Sequence, residues 1–188
     1  MGMYLSMCTL SDDSIGRVLS DPPLVWKVIS PDDAEPYEEA RSEMGLAEPQ
    51  VAFELADGEV VETHLDKTWH GIHYMLTQSA WEGDAPLNFL LAGGIEVGDL
   101  EVGYGAARVF SSEQVTGIAG ALQRLDESFL RSRFNPDEMM SLEIYPTIWD
   151  RDPKEDDPFG YCAEYFVELK SFVRRAAERK TGLLIHLS

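Results

Sequence analysis

Cysteine is scarce: the 188-residue chain has two, Cys8 and Cys162. Two isolated cysteines make no disulfide framework, so a reducing cytoplasmic location is expected. Basic residues are scarce as well. Lys plus Arg number 15 against 34 Asp plus Glu, a formal net charge of −19. A body that acidic repels phosphate backbones, which argues against a nucleic-acid partner, and attracts basic proteins or cations. Long apolar runs are missing. The longest suggestive piece, residues 87–95, ends in glycines and falls well short of the roughly 18 residues of a membrane span, so no membrane association is expected. No basic N-terminus precedes an apolar stretch, and no secretory signal is expected. The chain lacks a full HExxH pattern, a GxSxG elbow and a phosphate loop ending in GKS or GKT. No metal and no cofactor is implied.

What is present reads as alternating strands and helices. Residues 3–9 form an expected first strand, and Ser11, followed by Asp12 and Asp13, starts a helix. Residues 30–64 differ in character. They carry Pro31, Pro36, Pro49 and many carboxylates, and residues 1–64 hold 14 acidic against 3 basic side chains. This stretch is expected to be an acidic, proline-containing surface excursion of a single domain spanning 1–188, with a small hairpin around Asp57-Gly58. Leu65, Trp69, Ile72, Leu76 and Ala80 recur at helical spacing and predict a helix over about 65–80. Residues 87–110 read as short strands broken by glycines. Ser111 with Gln114 is a capping box, a short helix begins near Asp126, and Asn135-Pro136 opens another. A long helix is expected over about 159–180, with Gly182 as its C-cap and residues 183–187 as a closing strand. The order predicts an α/β layered sandwich with a mixed central sheet, because hairpin-length and helical connections both occur.

The densest cluster of chemistry-bearing residues is Asp66, His70 and His73. On a helix through 65–80 they lie at i, i+4 and i+7, so all three project from roughly one side. A carboxylate and two imidazoles there form a candidate acid–base site, with His70 as the base and Asp66 orienting it. Trp69 and Trp81 flank this face and could wall a ligand pocket, although Trp69 also lies on the apolar stripe. In Gly103-Tyr104-Gly105-Ala106-Ala107-Arg108, Tyr104 and Arg108 are polar-tipped residues in an apolar, glycine-rich stretch. They are candidate contacts for a small anionic ligand. Cys162 sits among aromatics on an amphipathic face and reads as a buried small hydrophobe.

These segments in combination resemble a known family. The start Met1-Gly2-Met3, the block Leu65-Asp66-Lys67-Thr68-Trp69-His70-Gly71-Ile72-His73-Tyr74-Met75-Leu76, the stretch from Gly103 to Arg108 with Ser111 to Val115, and Ile144-Tyr145-Pro146-Thr147-Ile148-Trp149 occur in this order. The chain is similar over nearly its whole length to the YfbM-like family of bacterial proteins of unknown function. The resemblance implies one α/β domain with helices packed on a central sheet. It implies no activity, cofactor or substrate, and no residue roles.

Two functions compete on these grounds. One is a non-catalytic binding protein, immunity- or inhibitor-like, whose acidic surface docks a basic protein partner. The other is a small-molecule enzyme or sensor, with Asp66, His70, His73, Tyr104 and Arg108 around one pocket. The charge imbalance favours the first.

Overall fold

The computed structural model describes residues 2–188. Five strands form one sheet: β1 (Leu5–Leu10), β2 (Glu62–His64), β3 (Ile95–Glu101), β4 (Ala106–Phe110) and β5 (Gly182–Leu187). Their order is β2-β1-β5-β4-β3, so the closing strand lies at the centre, beside the opening one. Every neighbouring pair is antiparallel. The layered α/β architecture is the expected one. The mixed sheet is not: a helical connection permits a parallel neighbour without requiring it. Here α5 (Ser112–Gln123), α6 (Glu127–Arg133), α7 (Pro136–Ser141) and α8 (Pro158–Glu178) together return the chain antiparallel to β4.

Alternation along the strands sends side chains to two cores. Leu5, Met7, Leu183 and Ile185 face α4 (Trp69–Thr77), α5 and α8, among Trp69, Ile72, Val115, Phe166 and Leu169. Cys8, Leu10, Val109 and Leu184 face the other way. There they meet Ile15 and Val18 of α1 (Asp12–Ser20), Leu24 and Val25 of a 3-10 turn, and Val28 of α2 (Trp26–Ile29). Residues 183–185, buried on both sides, are therefore a continuous apolar run.

Local start signals read correctly. Ser11, Ser111, Asp126 and Asn135 each accept a backbone N–H of the helix they open, and Ser111 with Gln114 completes the capping box; Asp157, read as part of a charged loop, caps α8 in the same way. Gly182 is not a cap. Lys180 takes the left-handed conformation after α8 (φ +55°), and Gly182 already belongs to β5.

The acidic stretch contributes α3 (Glu35–Glu43), a long irregular segment and β2. Asp57-Gly58 do make a turn, with Glu59 N–H donating to the Ala56 carbonyl (2.9 Å), but no hairpin flanks it. Instead the segment returns along β1, where Thr9 N–H donates to the Val61 carbonyl (2.9 Å). Tyr37, Phe53, Leu55 and Val60 join the second core, so the excursion is laid against the α1–α2 side. Arg17 pins it by donating to the Val51 and Ala52 carbonyls, both at 2.7 Å.

Candidate functional site

The helix carrying the Asp66–His73 block starts later than the stripe predicts. Residues Asp66–Thr68 form a 3-10 turn, with Asp66 at φ +44°, and the α-helix begins at Trp69. Asp66 is therefore rotated off the face of His70. Its carboxylate accepts the hydroxyl of Tyr161 on α8.

Each remaining member of the block ties distant chain together. Trp69 is fully buried, and its indole N–H donates to the Met3 carbonyl (3.2 Å). His70, also fully buried, bridges two backbones. Its Nδ1 accepts the Tyr145 N–H (2.9 Å), and Nε2 lies 2.7 Å from the Ala80 carbonyl. An Nδ1 that accepts must hold its lone pair, so the proton sits on Nε2 and is donated to Ala80. The ring is stacked on Trp69 (4.8 Å between centroids, 5° between planes) and covered by Trp81 at 4.4 Å. Gly71 lets the Trp149 indole lie against α4. A Cβ there would come within 3.0 Å of two Trp149 ring carbons and closer still to a third.

His73 is the exception. It is fully buried, and neither ring nitrogen has a hydrogen-bond partner among the described residues. Burial, then the nearby His70 and Arg108, push its pKa down to about 4; the backbone at Glu82 pulls the other way and is outweighed. Its unfolded value is near 6.5, so the unfolded chain binds the extra proton first as pH falls. Stability is fully present above pH 6.5 and drains away between about 6.5 and 4, by about 3 kcal/mol from this group. His70 and His186 are also shifted down by burial and add in the same direction. Urea midpoints measured from pH 7.5 to 4.5 should fall steadily. In His73→Leu, which removes the unpaired nitrogens at similar size, the slope should flatten.

Tyr104 does not join His70, and Arg108, although near His73, is engaged elsewhere. Arg108 donates to the carbonyls of Phe89 (3.1 Å), Leu90 (2.6 Å), Ala92 (2.8 Å) and Gly93 (3.1 Å), clamping the loop that precedes β3. Both of its terminal nitrogens are engaged by backbone, and burial pushes its pKa down to about 10. Tyr104 is exposed. The two residues share a recess of about 190 Å³ that none of Asp66, Trp69, His70 and His73 lines. Among the described residues, no three His, Cys, Asp or Glu side chains gather as metal ligands, and no helix is long and apolar enough to cross a membrane.

Two other surfaces stand out. In residues 30–64, Asp32, Asp33, Glu35, Glu38, Glu39, Glu43, Glu48, Glu54, Asp57 and Glu62 are all exposed. The one cation of that stretch, Arg41, is buried and forms a bidentate pair with Asp21 (2.8 and 2.9 Å). The same stretch exposes Met44, Leu46 and Val51. The second surface is a cleft of about 240 Å³ lined by Ser6, Cys8, Glu62, His64 and His186, with Met7, Ile29 and Thr63. Sequence reasoning missed it, because strand register alone brings these residues together.

The fold is similar to that of YfbM from Escherichia coli, a crystal structure of a protein of unknown function. The likeness covers all of both chains, with a TM-score of 0.65 and 18% identity. At that identity it speaks for the fold alone. Among curated proteins, none matches this chain. The family profile described as a domain of unknown function, DUF1877, matches residues 1–186, and the chain belongs to that family.

Proposed function

We propose that this is a non-catalytic cytoplasmic interaction protein whose acidic layer docks a basic protein, as an inhibitor or immunity protein does. The observation that carries the reading is the layer over residues 32–62. Ten carboxylates reach solvent there while the only cation is buried against Asp21. Such a field steers a positively charged partner and fixes its orientation. The exposed Met44, Leu46 and Val51 supply apolar contact area within the acidic surround. Both cysteines are buried and free, in keeping with a reducing compartment.

The Asp66–His73 block does not compete with this reading. His70 has both nitrogens committed to backbone and offers no free group to a substrate, and outside the block Arg108 commits both terminal nitrogens to four carbonyls.

A polyarginine peptide serves as a first probe. Its affinity should fall by at least about tenfold as salt rises from about 50 to about 300 mM, as the Debye length shortens. Neutralising Glu38, Glu39 and Glu43 together to Gln should weaken it by about tenfold at low salt. Neutralising the exposed Glu113, Glu164 and Glu168 should change it by less than about twofold. Equal effects of the two triple variants would show that net charge alone acts, and would remove the acidic layer as the docking face.

A further inference from the structure

The acidic stretch leaves the second core just after Ile29, the end of α2, and re-enters the sheet at β2. Both ends meet at the 240 Å³ cleft. Register builds it. Ser6 of β1 pairs with His64 on one side and His186 on the other, and Cys8 pairs with Glu62. Residues two apart on a strand share a face, as do residues directly opposite each other on antiparallel neighbours. Ser6, Cys8, Glu62 and His186, from three strands, thus lie on one side of the sheet, His64 stands at the edge with its ring 6.2 Å from that of Tyr165, and no Lys or Arg lines the cleft.

The lining is rich in acceptors. Glu62 is exposed and brings a carboxylate to the mouth. Ser6 offers a hydroxyl. His186 lines the cleft, and burial keeps its ring neutral at neutral pH, so one ring nitrogen retains a lone pair. The Cys8 thiol is pushed up to about 12, by burial first and by the Glu62 charge second. It stays protonated and supplies neither a nucleophile nor a thiolate ligand. Register sets Glu62 directly opposite Cys8, which puts its carboxylate beside the floor of the cleft. An acceptor-rich recess without a cation, on a chain of net charge −19, complements a group that carries positive charge and several N–H donors.

We infer that this cleft seats a guanidinium or ammonium side chain of the basic partner, with Glu62 taking the charge and Ser6 and His186 accepting its N–H groups. The inference rests on the docking function proposed above and adds the anchor point.

The test titrates N-acetyl-arginine amide into the whole protein at fixed pH and low salt, following the imidazole resonances of His64 and His186. Saturable shifts with millimolar affinity are expected, as suits a lone side chain. Glu62→Gln should weaken them about tenfold, the loss of one charged hydrogen bond. Glu38→Gln/Glu39→Gln/Glu43→Gln should leave them within about twofold. Glu62 is exposed on an edge strand, so its substitution leaves the fold intact; Ser6→Ala is a second probe, expected to weaken binding about threefold. No saturable shift, or shifts indifferent to Glu62→Gln, would overturn the inference. So would micromolar binding of the free amide, which marks a small-molecule site. Polyarginine binding is read separately. If it persists while the amide fails, the anchor falls and the docking face stands. If the amide binds while polyarginine ignores the acidic layer, the docking reading falls, and the partner anchor with it.

Discussion

Gly71→Ala should lower the unfolding free energy by about 3 kcal/mol or more, although alanine is the better helix former by about 1 kcal/mol. The cause is one contact. Trp149 is buried, its indole N–H donates to the Ile144 carbonyl (2.6 Å), and its ring edge lies where a Cβ on Gly71 would stand. The indole cannot retreat, because Phe134 packs against its ring with centroids 6.3 Å apart. Overpacking of this kind moves backbone or forces side chains off their rotamers. Urea denaturation measures the loss, and a double-mutant cycle assigns it. Trp149→Leu destabilises the chain by itself through a cavity. On that background Gly71→Ala should cost less than about 1 kcal/mol, since the clash has gone. An equal cost on both backgrounds would trace the effect to something other than this pair.

His70→Ala should cost about 3–5 kcal/mol, the sum of a vacated ring-sized cavity and two orphaned backbone groups. The imidazole links the N–H of Tyr145 to the carbonyl of Ala80. Its removal also takes away the ring nearest the exposed Trp81, leaving that indole only the more distant Trp69 at 6.5 Å. Trp81 fluorescence should shift to the red, and amides of residues 79–84 should lose hydrogen-exchange protection before the rest of the molecule does. His70→Asn, which can keep one of the two bonds, should recover part of the loss. Full stability in His70→Ala would contradict the bridging role.

The helix starts were legible because a cap is a local device. Ser11, Ser111 and Asn135 each bond a residue three positions on, so their neighbourhood in sequence is their neighbourhood in space. Sheet order was not legible, because β5 pairs with β1 across nearly the whole chain. The cleft beside Ser6 was hidden for the same reason. The expected alignment of Asp66 with His70 turns on a single residue. Helical spacing places Asp66 over His70 only if the helix already includes position 66, and the positive φ of Asp66 breaks it there. Gly182 misled in the opposite way. A glycine after a basic helix end resembles a C-cap, yet Lys180 adopts the left-handed turn. Gly182 is small because backbone oxygens of Phe110 and Leu10 and the Ile15 side chain crowd its Cα.

Taken together, the Asp66–His73 block holds the N-terminal segment, the Ala80 turn, the Tyr145–Trp149 segment and α8 onto one helix. The state of the His70 imidazole tests this most directly. In ¹⁵N-labelled protein the ring should show a fixed Nε2–H tautomer, bonded to Ala80, and should not titrate from pH 8 down to the onset of acid unfolding. A ring that exchanges tautomers and titrates near pH 6.5, as a solvent-accessible base does, would contradict the account and return His70 to the list of catalytic candidates.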